Sequence, residues 1–247
     1  MTLKCINSGS KGNCYLLTSS RGDTLVLECG VTIKELKKAL GFSIKNVAGC
    51  IVTHQHDDHA KALKDVVRLG IPVLALDEVF IAKKALGFNC MTAQHKKAYK
   101  MGNFKVSAYN AMHDVPCLMY VIEHEEMGKL LFATDTYKIP YGFKGLDHLM
   151  VECNYADDIL DYNIEHETCP VSLRNRLMES HMELKGCIKA VRDNTSDNTQ
   201  DVVLIHLSHD NACAEHFARM VSSRTGIPTY VAEKNFDCEL TTSNNPY

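Results

Sequence analysis

A dense run of metal-competent side chains lies between a predicted strand and a predicted helix. The run reads His54-Gln55-His56-Asp57-Asp58-His59. Side chains alternate along a strand, so His54 and His56 can point to one side, and the turn into the helix brings Asp58 and His59 round to the same place. Imidazole nitrogens and a carboxylate oxygen suit a divalent ion such as Zn²⁺. Four ligands from one loop exceed what one open catalytic site usually takes, which favours two adjacent ions.

Three further metal-competent residues directly follow predicted strands. They are His113 after segment 104–108, Asp135 after the apolar run 130–134, and His206 after 202–205. Strand ends at one sheet edge are rigid enough to hold two ions about 3.5–4 Å apart. Asp135 is the natural bridging ligand, because one carboxylate can give an oxygen to each ion. A lone His or Asp after a strand is usually structural. Because the His-rich run already predicts a metal site, we expect these three residues to be its remaining ligands.

The rest of the chain reads as one mixed α/β domain. With 247 residues, 45% of them apolar and 23% charged, the chain can bury a sizeable core, and disordered or coiled-coil chains are excluded. Short apolar strand candidates alternate with helical segments, and no linker or repeat divides them. We therefore expect a single domain over 1–240, followed by a loose tail over 241–247.

Local signals place several helices. Thr32 and Glu35 fit a capping box at the start of a helix. Segment 60–69 has the apolar spacing of one helix. A longer helical stretch covers 171–191 and is expected to break near His181, which puts that residue in a connection between helices.

The charge balance and the cysteine content bear on the partners and the cellular compartment of the protein. The 27 basic and 30 acidic residues give a net charge of −3, which argues against a generally cationic nucleic-acid-binding protein but leaves room for a local basic groove. The 11 cysteines are scattered without a CxxC pair, as expected for buried thiols in a reducing compartment. No apolar run could cross a membrane and no signal peptide is evident. We expect a cytoplasmic protein with no membrane partner.

In order and spacing, the metal-competent residues resemble those of the metallo-β-lactamase superfamily. The resemblance implies a four-layer αββα sandwich with two divalent metal ions at one edge, Zn²⁺ first and Mn²⁺ as the alternative. One ion would be held by His54, His56 and His113. Asp135 would bridge it to a second ion. The ligands of that second ion would be Asp58, His59 and His206.

Flanking motifs resemble one branch of the superfamily, the YycJ/WalJ-like group of DNA exonucleases. Its opening motif is matched by residues 8–14, Ser-Gly-Ser-Lys-Gly-Asn-Cys, and its later segments by 149–154 and 206–208, whereas 180–182, Ser-His-Met, keeps only the His of the group's Gly-His-Leu stretch. The chain departs from the family pattern at Glu28, where an Asp is usual. A carboxylate is retained, so Glu28 could still orient a ligand His, with a longer reach.

The resemblance implies hydrolysis of a phosphodiester by a metal-bridging hydroxide, with DNA as the expected substrate. Asp58 would orient the nucleophile as well as bind metal, and His181 would contact the phosphate or protonate the leaving oxygen. Lys11, Ser10 and Asn13 lie in a glycine-containing loop that could bind phosphate or serve as a plain turn.

Two other functions stay open at this stage. The same site could serve a small-molecule hydrolase acting on a cyclic phosphodiester, a thioester or a lactone. The chain could also be a non-catalytic binding module, although seven intact ligand candidates argue against that reading.

Overall fold

Two seven-stranded sheets form the middle of the structure, a computed structural model that describes residues 1–242, with the backbone alone at 171–173. The first sheet contains, in spatial order, β14 (Asp237–Glu239), β1 (Thr2–Asn7), β2 (Cys14–Thr18), β3 (Thr24–Leu27), β4 (Val47–Ile51), β5 (Val73–Ala75) and β6 (Cys90–Thr92). The second contains β13 (Thr229–Val231), β12 (Asp201–Ile205), β11 (His148–Glu152), β10 (Gly128–Ala133), β9 (Leu118–His124), β8 (Phe104–Asn110) and β7 (Ala98–Met101). Starting from β14 in one sheet and β7 in the other, each has three antiparallel pairs followed by three parallel pairs.

Helices cover the outer face of each sheet. The helices are α1 (Ile33–Ala39), α2 (Asp57–Ala60), α3 (Leu63–Arg68), α4 (Asp77–Lys83), α5 (Asp157–Glu165), α6 (Val171–Ser180), α7 (Leu184–Asn194) and α8 (Ala214–Thr225). Helices α1, α3 and α4 pack on the first sheet, and α7 and α8 on the second. Among the described residues, the longest helix has 12 residues, and none combines the length and hydrophobicity of a membrane span.

Strand alternation explains the four layers. In β3, Leu25 and Leu27 face the core between the sheets, whereas Val26 faces the helices of the first sheet. Large buried side chains from both sheets, such as Tyr15 and Phe132, meet in that central core, with ring centroids 5.9 Å apart. The predicted αββα sandwich is confirmed.

The helix predictions are confirmed in two places and wrong in one. Thr32 is the N-cap of α1, and both hydrogen bonds of the capping box with Glu35 are present. His181 lies in the break between α6 and α7, as predicted. The single helix expected over 60–69 is instead two short helices, α2 and α3, because the backbone N–H of Ala62 donates to the carbonyl of Cys29, 2.9 Å away.

Helices α5 and α8 were not among the sequence predictions. At the end of the chain, the carbonyl of Thr241 accepts hydrogen bonds from His148 and Gln200. Most of the tail predicted over 241–247, namely 243–247, lies outside the described residues.

The parallel strands bring their carboxyl ends to one edge of the sandwich. Ligand sites in α/β sheets form at such ends. Three polar residues that follow these strands have left-handed backbone: Glu28 after β3 (φ 61°), Asp135 after β10 (φ 46°) and His206 after β12 (φ 56°). Non-glycine residues seldom adopt this conformation, and in folded proteins it concentrates at functional sites. The edge carrying these three residues is where a site is expected.

Candidate metal centre

The seven predicted metal ligands lie together at this edge. They form two clusters, and the candidate ligand atoms within each cluster lie within 4.8 Å of one another. The first cluster is His54, His56 and His113, and the second is Asp58, His59, Asp135 and His206. The structure therefore brings together every residue of the predicted set.

The first cluster consists of imidazoles from two loops. His54 Nε2 lies 3.0 Å from His56 Nδ1, and His113 Nε2 lies 3.4 Å from that same Nδ1. His113 is held in place by its other nitrogen, Nδ1, which is 2.8 Å from the carbonyl oxygen of Ser180. Because a carbonyl can only accept, Nδ1 of His113 carries the proton in the neutral ring, and Nε2 is left with the lone pair that a metal ion would bind.

Asp135 lies between the two clusters. Its Oδ2 is 3.9 Å from His54 Nε2 and 3.9 Å from His113 Nε2, both in the first cluster. Its Oδ1 is 3.1 Å from His59 Nε2 and 3.4 Å from His206 Nδ1, both in the second cluster. One oxygen therefore faces each cluster, which is the arrangement that a bridging carboxylate needs.

The ionisable groups of the centre strongly shift one another's pKa values. Burial raises the pKa of Asp135, but the imidazoles of His206 and His59 outweigh it and hold the pKa well below its usual range. The pKa of Asp58 is also held low, by hydrogen bonds from His206 and His59 that outweigh burial. Burial lowers the pKa of His206, but Asp135, Asp58 and Glu152 raise it to about 10. The pair Asp58 and Asp135 is thus anionic, as metal ligands must be.

The donor set fits divalent metal ions. Five imidazoles and two carboxylates converge in a small volume, and His54 has its pKa lowered well below the usual range by burial and by neighbouring His59, so its ring stays neutral and able to bind. His59 Nδ1 is buried without a hydrogen-bond partner among the described residues. These seven side chains could hold two ions; nitrogen and oxygen donors of this kind suit Zn²⁺ and related metals.

Glu28 lies on the side of the His59 ring that faces away from the cluster. It is fully buried, its Oε1 accepts a hydrogen bond of 3.1 Å from the backbone N–H of Thr53, and the same oxygen lies 3.7 Å from His59 Nδ1. Burial raises the pKa of Glu28. The longer side chain at this position thus reaches the ring nitrogen that points away from the cluster, which is the orienting position proposed from the sequence.

Glu152, at the end of β11, is a functional candidate that sequence reasoning did not place in the site. Its Oε1 lies 2.6 Å from His181 Nδ1 and 2.9 Å from His206 Nδ1. Its Oε2 accepts hydrogen bonds from the backbone N–H groups of Thr136 and Met182. Glu152 forms a third set of metal-competent residues with Asp135, His181 and His206. Its carboxylate already faces four hydrogen-bond donors, which favours a positioning role. Its place after an apolar strand was the available signal.

His181 lies at the edge of the centre. Its ring stacks on that of His206, with centroids 5.3 Å apart. Burial lowers the pKa of His181, but the carboxylates of Glu152 and Asp135 outweigh it and raise the pKa above its usual range. With Nδ1 held by Glu152, Nε2 has no partner among the described residues. His181 can therefore carry a proton at an atom that is free to meet a ligand.

A cavity of about 460 Å³, here named the metal-centre cavity, opens above the clusters. The polar residues that line it include Asp58, Asp135, His181, His206, Ser10 and Arg176. Ser10 is thus placed to touch a ligand. Asn13 is not: it is fully buried, with its Nδ2 3.0 Å from His59 Nε2. Arg176 of α6 was missed from the sequence because an exposed arginine on a helix carries no signal of its own.

Comparisons with known proteins agree with this geometry. Residues 8–99 match the sequence model of the metallo-beta-lactamase superfamily. The chain is 29% identical over 233 residues to exodeoxyribonuclease YycJ of Bacillus anthracis, a match that covers 88% of this chain and 86% of the relative.

Solved structures share the fold. The metallo-beta-lactamase fold protein YhfI of Bacillus subtilis superposes with a TM-score of 0.74 at 17% identity, covering 96% of this chain and 98% of YhfI. A diphosphatase from the PhnP family gives a TM-score of 0.66 at 16% identity over 98% of this chain and 99% of the other. The matched segment, the relative and the candidate ligand clusters together support a metal-dependent hydrolase that is similar to proteins of the metallo-beta-lactamase superfamily and to YycJ.

Proposed function

We propose that the protein is a phosphodiesterase that degrades DNA from an end and uses two divalent metal ions, with Zn²⁺ expected and Mn²⁺ as the alternative. The observation that carries the two-ion part is the position of Asp135, whose two oxygens face different ligand clusters. The DNA part is supported by the similarity to exodeoxyribonuclease YycJ over 88% of the chain.

Bound divalent ions supply Lewis acidity toward phosphate oxygens and lower the pKa of water at neutral pH. The residues of the chain do the rest. Asp58 accepts a hydrogen bond from the attacking water and orients it. His181, held by Glu152, donates a proton from Nε2 to the leaving oxygen.

Arg176 binds a non-bridging oxygen of the phosphate. Arg176 lines the metal-centre cavity, and the planar guanidinium cation of an arginine matches phosphate geometry. The net charge of −3 does not oppose a DNA substrate, because Asp58 and Asp135 are among the counted acids and would face bound cations.

We place the protein in the cytoplasm as part of the same proposal. All 11 cysteines are free thiols in the structure, and thiols persist in a reducing compartment.

The test is hydrolysis of a 5′-labelled single-stranded DNA oligonucleotide by protein loaded with Zn²⁺ or Mn²⁺. We expect single nucleotides to be released, and we expect Asp58→Ala to abolish the reaction while the protein stays folded. The matched control is Asp197→Ala, which removes an exposed carboxylate in the loop before β12, at the far edge of the sheet.

Two results would count against the proposal. If the metal-loaded protein leaves DNA intact but hydrolyses bis(4-nitrophenyl) phosphate, a small-molecule phosphodiesterase is the better account. If neither substrate is cleaved with Zn²⁺, Mn²⁺ or Mg²⁺, phosphodiester hydrolysis is wrong altogether.

A further inference from the structure

A second cavity lies beside the metal-centre cavity. It has a volume of about 410 Å³, within the range of pockets that hold small ligands. Three lining residues, Ser10, Leu207 and Ser208, belong to both cavities. A polymer bound at the metal centre could therefore continue directly into this second cavity. We name it the lysine cavity, because two lysines line it.

Two lysines from separate parts of the chain line the lysine cavity. Lys11 comes from the loop between β1 and β2, and Lys234 from the turn between β13 and β14. Both are exposed, and neither ammonium group has a hydrogen-bond or ion-pair partner within residues 1–242. The acid that shares the lining, Glu233, is itself exposed to solvent. The cavity thus presents two positive charges that a bound anion would meet, one of which, Lys234, also lies near enough to Glu35 to help lower the pKa of that carboxyl.

The loop that carries Lys11 also offers backbone donors. Within the described part of the chain, the amide N–H groups of Ser10 and Lys11 donate to no other group. Successive free amides of this kind form anion-binding concavities. Gly12 is required for the loop to close, because a Cβ there would lie 2.4 Å from the carbonyl oxygen of Gly30, and its φ is 141°.

The same loop is fixed to the metal centre. Ser8 Oγ accepts a hydrogen bond of 3.0 Å from the backbone N–H of His206, a candidate metal ligand. Asn13 Oδ1 accepts one of 2.8 Å from the N–H of Gly9, and Asn13 Nδ2 lies beside His59. The positions of Lys11 and the free amides are therefore set relative to the reacting phosphate and do not depend on a mobile segment.

We propose that the lysine cavity binds the phosphate of the DNA nucleotide next to the scissile bond, with Lys11, Lys234 and the free amides as its donors. This inference rests on the proposed function, because it names where the rest of the DNA strand lies. Both lysines lie outside the metal-centre cavity, so they serve the neighbouring phosphate and leave the reacting one to Arg176. A substrate with a single phosphodiester and no neighbouring phosphate cannot use the cavity.

The test compares the wild-type protein with the double variant Lys11→Ala/Lys234→Ala on two substrates. For a single-stranded oligodeoxythymidine, we expect KM to rise roughly tenfold with kcat nearly unchanged, because lysine–phosphate contacts add affinity through counterion release. For bis(4-nitrophenyl) phosphate, kcat/KM should stay the same. The control is Lys45→Ala/Lys129→Ala, which removes two lysines just before β4 and at the start of β10, at the edge opposite the metal centre.

A binding measurement without catalysis accompanies it. With metal removed by a chelator, fluorescence anisotropy should show that the double variant binds the oligonucleotide more weakly than the wild type. The slope of log Kd against log salt concentration should be lower by about 1.4, because each lysine–phosphate contact with single-stranded DNA contributes about 0.7. If the wild type cleaves DNA and the double variant keeps its KM and salt slope, the inference is overturned and the proposed function stands. An equal loss on both substrates also overturns it, because the lysines would then act at the metal centre. If the wild type neither binds nor cleaves DNA, the proposed function fails and the inference fails with it.

Discussion

Glu152 Oε1 lies 2.6 Å from His181 Nδ1, at the base of the metal-centre cavity. The carboxylate is fully buried, so it holds the imidazole in one orientation and one tautomer. This pairing links β11 to the break between α6 and α7, two parts of the chain that are 29 residues apart. It fixes the position of His181, to which the proposed function gives the role of proton donor, relative to the sheet.

Replacing Glu152 tests this pairing. We expect Glu152→Gln to lower kcat by roughly 10–100-fold while KM changes little, because the amide positions His181 poorly and withdraws a negative charge. His181 must be protonated to act, so activity is lost as pH rises through its pKa. The carboxylates raise that pKa, and removing one should move the alkaline limb of the pH–rate profile to lower pH. A variant with reduced kcat and an unmoved limb would contradict the role.

Glu28 should affect metal binding more than chemistry. Its carboxylate lies behind His59, with Oε1 3.7 Å from Nδ1. We expect Glu28→Gln to weaken metal affinity by about 10- to 100-fold, as is typical when the partner of a ligand imidazole is lost. Competition with a chromophoric chelator measures this. Glu28→Asp, which restores the carboxylate usual in the family, should retain more affinity, and equal affinity in all three proteins would remove Glu28 from the account.

Arg176 should affect substrate binding. We expect Arg176→Ala to raise KM for DNA by about 10- to 100-fold, the size expected from losing one charge-assisted hydrogen bond of about 1.5–3 kcal/mol. Metal content should not change. Arg219→Ala on α8, an exposed arginine that is not part of the metal-centre cavity lining, is the control. An unchanged KM for DNA in Arg176→Ala would show that the phosphate is bound elsewhere.

The capping box of α1 makes a prediction for stability. Hydrogen bonds from Thr32 hold the pKa of Glu35 below its usual range. The stabilisation is therefore present above the unfolded-state pKa of a glutamate and is lost as pH falls through the lowered pKa. We expect Thr32→Ala to lower the free energy of unfolding by about 1 kcal/mol at pH 7, and by less near pH 3, in urea titrations. Lys34→Ala, exposed on the same helix, should change it by less than about 0.5 kcal/mol, and equal effects of the two variants would argue against the cap.

The clustering of the candidate ligands was predictable because these residues are concentrated in the sequence. His54, His56, Asp58 and His59 occupy one short run, and strand periodicity alone brings His54 and His56 to the same side. The αββα architecture followed from the resemblance that this run carries. The short helices α2 and α3 were merged in the prediction because the hydrogen bond that separates them, from Ala62 to Cys29, is tertiary.

The residues around the metal centre were harder to predict. Glu152 and Arg176 come from a strand end and a helix surface, where a carboxylate or a guanidinium is common without function. Only the tertiary packing of α6, whose Leu177 clusters with Tyr155 and Leu160, places Arg176 in the metal-centre cavity. Asn13 shows the reverse case, since its motif suggested a phosphate contact and the structure buries it under His59.

The central claim is that two ions share Asp135, and anomalous diffraction from crystals grown with Zn²⁺ tests it most directly. We expect two peaks about 3.5–4 Å apart, one beside His54, His56 and His113 and the other beside Asp58, His59 and His206, with the Asp135 carboxylate between them. A single peak, or two peaks without Asp135 between them, would contradict the account.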